Sequence, residues 1–295
     1  TTNALLHIFL SCPSISNDVK IAGQLKKICS NAFVVLVGTH PSALPVEVLK
    51  MSDLVDAVAI HEYEMTIKDL AIKLKNSNNA LSEKELRSID GIAFRYKDQI
   101  IQNKDRALID NLDQLPFVSK IYKEHLTYQN YFYSHSEFPI VTIISGRGCP
   151  YQCVYCVYPQ VFNGHKLRLR SVKNVVYEIE YILKNFKDVK EIMFEDDTLT
   201  CNKERASQLA QEIIKRGLKF RWSANSRADI DLETMMLLKK AGARLFCVGV
   251  ESGEQQVLDN MKKNLTVARI RQVFKDAKKA GILIHGCFLL GNNGE

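Results

Sequence analysis

Three cysteines stand close together in the stretch SGRGCPYQCVYCVYP. They are Cys149, Cys153 and Cys156, and their spacing is C-x3-C-x2-C. Iron–sulfur clusters are held by cysteine thiolates, commonly by four of them. A set of three therefore indicates a cubane cluster in which the protein binds three irons and leaves the fourth open to a small molecule.

Two other interpretations of these cysteines remain. The first is a structural zinc ion, with Cys201 or His165 as the fourth ligand. Structural zinc sites usually join two short ligand pairs, and the sequence shows no second pair here. The second interpretation is a set of unrelated buried cysteines. We favour the iron–sulfur cluster.

The composition is that of a soluble globular protein, because 46% of the 295 residues are hydrophobic and 25% are charged. No run of 18 apolar residues is present, so no membrane span is expected. Eight cysteines without a secretory signal favour a reducing compartment, the cytoplasm, and metal or redox chemistry. The chain lacks an initiator methionine and ends in FLLGNNGE, so we expect a fragment cut at both ends.

The net charge of +7 is spread over the chain, with lysines scattered among acidic residues. A nucleic-acid-binding protein would show a clustered basic stripe, so nucleic acid is not an expected partner. One basic stretch, FNGHKLRLRSV, carries Arg168 and Arg170. We interpret it as a solvated strand edge rather than as a face for an acidic substrate.

The second half of the chain, residues 139–295, alternates apolar runs with amphipathic helical patterns. The runs PIVTIIS, EIMFE, KFRWSAN, RLFCVGVE and ILIHGCFLLG predict five strands. Helices are predicted from Ser171, over Lys203–Arg216, and before Gly242 and Gly281. Strands joined by successive helices favour a parallel sheet, open or closed into a barrel. The three cysteines follow the first strand, at the edge where such folds bind ligands.

The segment RGCPYQCVYC resembles the signature of radical S-adenosylmethionine (SAM) enzymes, and Tyr155 matches the aromatic residue before the third cysteine. The resemblance implies that Cys149, Cys153 and Cys156 are the catalytic cluster ligands, that they bind a [4Fe–4S] cluster, and that Tyr155 lies at the cofactor. It also implies that SAM chelates the unique iron through its amino and carboxylate groups. Reductive cleavage would then give methionine and a 5′-deoxyadenosyl radical that abstracts hydrogen from a substrate.

The resemblance extends to polar residues at the ends of the next two strands. Asp196 and Asp197 match a loop that receives the SAM amino group, and carboxylates accept from an ammonium with charge assistance. Asn225 and Arg227 lie at the end of the third strand, where an amide and a guanidinium can bind ribose hydroxyls and the methionine carboxylate. The alternatives are helix-capping acids for the aspartates, and a surface ion pair with Asp229 for Arg227.

Glu251 ends the fourth strand, where alternation places it on one face with Cys247 and Gly249. In the family the matching Glu or Gln contacts SAM. Relatives also often have a cation at the position of Lys263, where it binds the SAM carboxylate. The alternative for Lys263 is a solvated helix surface. We interpret Cys247 and Cys287 as small core residues rather than as ligands.

The first half predicts a smaller α/β domain. The runs AFVVLVG (32–38) and LVDAVAI (54–60) are predicted as buried strands, and residues 91–103 as a hairpin. Residues 104–138 show little periodicity, and we interpret them as a linker with room for some helix.

The stretches VVLVGTHPSALPVEVL and VDAVAIHEYEMTIKDLA resemble part of the cobalamin-binding domain of one large radical SAM subfamily. His40 and Pro41 match its first motif, which implies contacts to cobalamin. Thr39, His61 and Tyr63 stand where the family has glycine, and their side chains would crowd a ligand that approaches the backbone. The resemblance therefore implies the domain shape and leaves cobalamin binding open.

Together these features predict an α/β protein. A partial Rossmann-like cobalamin-binding-type domain (1–103) and the linker (104–138) precede a radical SAM partial (βα)6 TIM-type barrel (139–295) with about five strands present. The implied function is reductive cleavage of SAM, with cobalamin-dependent methyl transfer or cyclisation as candidate reactions. The expected partners are a small-molecule substrate and an external electron donor such as a flavodoxin or ferredoxin.

Two further function classes are weighed against this one. A methylthiotransferase would share the barrel but would need three further cysteines in its N-terminal domain, where this chain has only Cys12 and Cys29. A non-catalytic iron–sulfur or zinc scaffold would keep the cysteine motif but not the strand-end residues Asp196, Asn225 and Glu251.

Overall fold

The computed structural model describes residues 5–10, 13–77 and 80–295, and Cys12 lies outside them. The chain forms two compact units. The first contains the described residues up to Ile109 together with Val157–Gly164, and the second contains Asp110–Cys156 and His165–Glu295. The domain boundaries drawn after residues 103 and 138 stay predictions.

Strands and helices alternate along most of the chain, so the predicted α/β class is confirmed. In chain order the strands are β1 (Leu5–Leu10), β2 (Phe33–Gly38), β3 (Ala57–Ala59), β4 (Ile92–Tyr96), β5 (Gln99–Gln102), β6 (Ile140–Ile143), β7 (Gly146–Arg147), β8 (Arg168–Leu169), β9 (Glu191–Phe194), β10 (Arg221–Arg227), β11 (Ala243–Glu251) and β12 (Leu283–Phe288).

The helices are α1 (Ile15–Ile28), α2 (Thr39–Ala43), α3 (Pro45–Lys50), α4 (Glu64–Ser77), α5 (Glu83–Arg87), α6 (Val118–His125), α7 (Val157–Val161), α8 (Val172–Asn185), α9 (Lys203–Lys215), α10 (Leu232–Lys240), α11 (Gln255–Asn260) and α12 (Val267–Ala280). Among the residues that the structure describes, every helix is too short or too polar to cross a lipid bilayer.

The first unit is built on a five-stranded sheet in the order β1-β2-β3-β4-β5. β1, β2 and β3 are parallel, and the antiparallel pair β4–β5 joins the sheet at β3. Val34 and Leu36 pack into a core on one face, and Val35 and Val37 pack into a core on the other. A strand buried on both faces is apolar throughout. The predicted strands and hairpin are confirmed, although the second strand covers only β3.

The second unit is built on a parallel sheet in the order β12-β11-β10-β9-β6, which confirms the five predicted strands. Helices α8, α9, α10 and α12 cover one face and enclose the main core. The opposite face, called the inner face below, carries a separate buried cluster of Ile140, Met193, Leu245 and Cys247. Alternation along each strand therefore sends one set of side chains to the helices and the other to the inner face.

The helices of the second unit begin and end at the residues that their sequence signals indicate. Ser171, Asn202, Asp231 and Thr266 each accept a backbone N–H from three residues further on at the start of α8, α9, α10 and α12. Gly242 follows α10 with a φ of 100°, and a Cβ there would collide with the carbonyl oxygen of Phe220. Only glycine fits that connection without strain.

Two predictions about exposure are wrong. Arg168 and Arg170 are buried, not solvated, because Arg170 donates to Glu178 Oε2 at 2.6 Å and stacks over the Phe117 ring. Phe117 is 53 residues away from Arg170 and Glu178 is 8 residues away on α8, and together they cover what looked like a free strand edge. Cys287 is exposed, because β12 is the edge strand of its sheet.

The segment between Asp110 and β6 is part of the second unit. It contains α6 and two 3-10 turns, Leu112–Gln114 and Tyr128–Asn130. Ser119 at the start of α6 is buried, and its N–H and hydroxyl both donate to Glu178 Oε1, at 3.1 and 2.9 Å. This contact fixes the segment to α8.

Candidate functional site

The cysteine loop, defined as residues 148–156, leaves the carboxyl end of β6 through the short antiparallel pair β7–β8 and carries all three motif cysteines. Each of the three is half-buried. The Gly148 N–H donates to Asp197 Oδ2 at 2.8 Å, and the Val154 N–H donates to the Met261 carbonyl at 3.1 Å. The loop is thus tied to the ends of β9 and of α11.

The three thiols lie within electrostatic reach of each other. Burial raises the pKa of the Cys149 thiol, and Asp197, Cys156 and Cys153 raise it further. Over residues 5–10, 13–77 and 80–295, no three or more His, Cys, Asp or Glu side chains are close enough together to hold a single metal ion. Three half-buried thiols on one loop are the protein ligands that a cubane cluster with one open iron requires.

The residues considered as a fourth zinc ligand have other contacts. His165 donates from Nδ1 to the carbonyl oxygen of Cys149 at 3.2 Å, in the tautomer that carries a proton there. Cys201 lies in a 3-10 turn after β9, where burial raises its pKa to about 12.

Asp196 and Asp197 follow β9, as predicted, and both contact the segment that leads into the cysteines. Asp196 Oδ1 accepts the Ser145 N–H and Oδ2 accepts the Ser145 hydroxyl, both at 2.6 Å. Burial raises the pKa of Asp196 to about 6, although the bonds from Ser145 and Gly146 lower it. Asp196 therefore holds the end of β6, and its contact with SAM stays a prediction.

Arg227 ends β10 and is only 5% exposed. Its Nε donates to Asp229 Oδ2 at 3.1 Å, and its guanidinium carbon lies 3.9 Å from the ring centroid of Tyr151. The Tyr151 hydroxyl donates to the same Oδ2 at 3.2 Å, while Arg227 Nη2 donates to the carbonyls of Lys263 and Asn264. The ion pair with Asp229 exists, but it is not a surface pair, because Arg227 is buried and Asp229 is half-buried. Sequence reasoning missed Tyr151, since only the fold brings it to Arg227.

Tyr155, Glu251 and Lys263, all predicted as cofactor-binding residues, form one hydrogen-bonded group. Glu251 Oε1 accepts from the Tyr155 hydroxyl at 2.8 Å and pairs with Lys263 Nζ at 2.7 Å. Lys263 Nζ also lies 2.9 Å from the Tyr155 hydroxyl oxygen. Glu251 and Lys263 are buried, so the interpretation of Lys263 as a solvated helix residue is wrong.

Asn225, the remaining predicted strand-end residue, lies half-buried on β10. Its Nδ2 donates to the Asp196 carbonyl at 3.1 Å and lies 3.5 Å from Glu195 Oε2. Glu195 was not predicted, although it directly follows β9 and faces a cavity of about 320 Å³. Leu112, Leu115, Val118, Tyr122, Thr142, Ile144, Arg147 and Arg170 are among the other lining residues.

A second polar group lies on the inner face. His135 Nε2 is 3.2 Å from Cys247 Sγ, and its ring centroid is 5.2 Å from that of His285. Burial raises the pKa of Cys247 to about 12 and lowers that of His135, so the thiol donates to a neutral imidazole. The interpretation of Cys247 as a buried core residue is confirmed. The contact with His135 could not be found from local sequence.

Two polar atoms at the strand ends are buried without a hydrogen-bond partner among the described atoms. They are Thr198 Oγ1, just after β9, and Asp229 Oδ1, just after β10. Buried polar groups are nearly always paired in folded proteins. A ligand carrying N–H or O–H groups would satisfy both atoms.

The first unit also has polar residues at the carboxyl ends of its strands. His40 is half-buried and Pro41 is buried in α2, directly after β2. His61 has a φ of 60°, a conformation that glycine adopts readily, and it donates from Nδ1 to the Val161 carbonyl of α7 at 2.8 Å. The Tyr63 ring packs 5.9 Å from the ring of Phe162. The two side chains that replace family glycines thus contact the segment that begins with α7.

A protein-family model matches slightly more than half of the chain. The model of the radical SAM superfamily matches residues 143–295. These residues include the cysteine motif and every strand-end residue described for the second unit.

Curated relatives and solved structures extend the likeness to the first unit. The chain is 32% identical over 273 residues to an uncharacterized methyltransferase of Pyrococcus horikoshii, covering 92% of this chain and 56% of that protein. It is 27% identical to an anaerobic magnesium-protoporphyrin IX monomethyl ester cyclase of Cereibacter sphaeroides, covering 96% and 46%. The chain thus spans about half the length of these relatives.

Among solved structures, the radical SAM methyltransferase TsrM from Kitasatospora setae, with cobalamin and a [4Fe–4S] cluster bound, superposes with a TM-score of 0.74. The sequence identity is 17%, and the match covers 99% of this chain and 59% of that one. The likeness shows that the fold of both units is shared, which confirms the predicted Rossmann-like domain and partial barrel.

Proposed function

Because the chain belongs to the radical SAM superfamily, we propose that it is an enzyme that binds a [4Fe–4S] cluster through Cys149, Cys153 and Cys156 and cleaves SAM reductively. One observation carries the proposal. The cysteine loop lies at the carboxyl edge of a five-stranded parallel sheet, inside the matched residues, and buried polar side chains from three successive strands surround it.

The donor set fits the cluster. Three half-buried thiols within electrostatic range would be its ligands, and they leave one iron without a protein ligand. When bound and reduced, the cluster would supply the electron that splits SAM into methionine and a 5′-deoxyadenosyl radical. The chain's own part is to place SAM and to exclude water.

The polar groups around the loop fit SAM. Thr198 Oγ1 and Asp229 Oδ1, which are buried without a hydrogen-bond partner among the described residues, would receive its amino and hydroxyl hydrogens. The Glu251–Lys263 pair offers a carboxylate and an ammonium to the charged end of the same molecule. Asp196, Asp197, Asn225 and Arg227 already contact the loop or each other, and we assign them to fixing the site as well as to lining it.

Cobalamin is proposed as a second cofactor, on the likeness of the first unit to a cobalamin-bound methyltransferase. The loop after β3 keeps at His61 the left-handed backbone conformation that glycine adopts readily, which supports a loop of the family's shape. The side chains of His61 and Tyr63, which stand where the family has glycine, contact the segment that begins with α7. His40 and Pro41 would contact the corrin, which would supply a methyl group.

The reaction we propose is methylation or cyclisation of a small molecule, because the two relatives are named a methyltransferase and a cyclase. The cavity of about 320 Å³ beside Glu195 has a size that suits a small ligand. A flavodoxin- or ferredoxin-type protein is the proposed electron donor. The cytoplasm is the proposed location, because it keeps thiols reduced.

Anaerobic reconstitution with iron and sulfide, with and without hydroxocobalamin, tests the proposal. We expect about four irons per chain, an electron paramagnetic resonance (EPR) signal that SAM perturbs, and 5′-deoxyadenosine after reduction. Cys153→Ala should abolish all three, whereas the exposed Cys29→Ala should leave them unchanged. A Cys153→Ala protein that keeps its cluster refutes the assignment, and loss of the corrin on desalting refutes the cobalamin proposal alone.

A further inference from the structure

The hydroxyl of Tyr155 joins the cysteine loop to the end of β11. Tyr155 stands between Cys153 and Cys156, and its hydroxyl lies 2.8 Å from Glu251 Oε1 and 2.9 Å from Lys263 Nζ. The Lys263 ammonium is itself 2.7 Å from the same Oε1. The three polar atoms thus form a closed triangle. The Tyr155 hydroxyl belongs to the cysteine loop, Glu251 Oε1 to the end of β11, and Lys263 Nζ to the turn after α11.

The backbone is built to admit this triangle. A Cβ on Gly249 would collide with Glu251 Oε1 and would lie 2.9 Å from Lys263 Nζ, so the charged pair occupies the space that any larger residue would fill. Glu251 has a φ of 65°, and the pairing of β11 with β12 shifts register between Gly249 and Glu251. A strained residue at a strand end persists only where its surroundings fix it.

The pair is also too buried to be a chance surface contact. The exposed fractions of the Glu251 and Lys263 side chains are 9% and 7%. A buried ion pair stabilises only if its remaining hydrogen-bonding capacity is satisfied. The Tyr155 hydroxyl supplies part of that capacity, so removing it perturbs the pair as well as the loop.

We propose that Tyr155 is a positioning residue, whose hydroxyl orients the Glu251–Lys263 pair for SAM and fixes the cysteine loop before any cluster is assembled. The SAM part of this inference rests on the proposed function. The loop part does not, because the contacts lie within the polypeptide.

Tyr155→Phe tests the inference, because it keeps the aromatic ring and removes only the hydroxyl. Tyr177→Phe on α8 is the matched control, since Tyr177 is 43% exposed and distant in sequence from the loop. Gly249→Ala is the second variant, because it displaces Glu251 and Lys263 while leaving Tyr155 in place. The first readout is hydrogen–deuterium exchange of the loop amides in the iron-free chain. The second readout is the SAM concentration at which half of the EPR signal of the reconstituted, reduced protein has changed to the SAM-perturbed form.

For Tyr155→Phe and Gly249→Ala we expect loop exchange about tenfold faster than in the control, the effect of losing about 1.4 kcal/mol of local stability. The half-converting SAM concentration should rise by about tenfold at unchanged iron content. Values for Tyr155→Phe within twofold of the control in either measurement overturn the proposal. If the wild-type chain assembles no cluster, the proposed function fails, and the exchange measurement alone decides the positioning role.

Discussion

The buried carboxyl group of Asp196 makes the stability of the second unit depend on pH in a direction that can be derived from the structure. Asp196 is 4% exposed, and desolvation raises its pKa from the ordinary 3.8 to about 6 against the opposing bonds from Ser145 and Gly146. The folded pKa thus lies above the unfolded one. Below pH 3.8 the group is protonated in both states and costs nothing, and above pH 6 the fold must hold a buried charge.

The magnitude follows from the two pKa values. The gap between 3.8 and about 6, at about 1.36 kcal/mol for each pH unit, corresponds to about 3 kcal/mol of stability lost at neutral pH. About 2.5 kcal/mol of this loss falls between pH 4 and pH 7.5. Asp196→Asn has nearly the same shape and cannot ionise, so it removes this dependence. Its amide oxygen can still accept the Ser145 N–H, and its amide nitrogen can donate to the Ser145 hydroxyl oxygen.

Urea unfolding of the iron-free chain at pH 4 and 7.5, followed by tryptophan fluorescence, measures the effect. The chain has one tryptophan, Trp222, which is buried on β10 beside β9, the strand that Asp196 follows, and therefore reports the second unit. The stability of Asp196→Asn relative to wild type should increase by about 2.5 kcal/mol from pH 4 to pH 7.5. The exposed Asp98→Asn serves as control. A pH-independent difference between Asp196→Asn and wild type would refute the reasoning.

Three other substitutions test separate parts of the fold. Arg170→Met leaves the Glu178 carboxylate buried without its cation and should cost about 3–5 kcal/mol in urea unfolding, with less lost when Glu178→Gln is added. Gly242→Ala forces a Cβ against the Phe220 carbonyl at a φ of 100° and should destabilise by more than about 1 kcal/mol, seen as a lower Tm. Asp231→Ala removes the cap of α10 and should cost about 1 kcal/mol at pH 7. Burial opposes ionisation of Asp231, but hydrogen bonds from the first turn of α10 bring its pKa to about 2, so this cost should disappear as pH falls from 3.8 through 2.

Local sequence signals were sufficient for the elements that position the site. Apolar stretches in the sequence predict the five strands of the parallel sheet, and the cysteines follow the first of these strands directly. Because parallel strands end at one edge, the polar residues after β9, β10 and β11 had to gather near the cysteines. Tyr155, Glu251 and Lys263 were each predicted as cofactor-binding residues, Tyr155 and Lys263 from the family resemblance alone, and the structure brings the three into one hydrogen-bonded group.

Contacts between residues distant in sequence explain what local signals could not reach. Arg170 looks like an exposed position in an alternating basic stretch, and it is buried because Phe117 and Glu178 cover it. The three residues span about sixty positions, and no periodicity links them. Val157–Gly164 follows the cysteine motif directly and yet groups with the first unit, because His61 and Tyr63 bind it there.

The strand-end acids differ in whether they have an oxygen left for a ligand, and residue type alone does not reveal this. Both oxygens of Asp196 accept hydrogen bonds from Ser145. Asp229 uses Oδ2 for Arg227 and Tyr151, and its Oδ1 is buried without a partner in the part of the chain that the structure describes. Asp229→Asn can retain the Oδ2 bonds while turning the open acceptor into a donor, so it should weaken SAM binding by at least tenfold at unchanged iron content. Asp196→Asn should change SAM binding by less than threefold. If Asp196→Asn weakened SAM binding more than Asp229→Asn, then SAM would displace the hydrogen bonds at the end of β6. A buried acceptor without a partner would then be a poor guide to ligand contacts in this site.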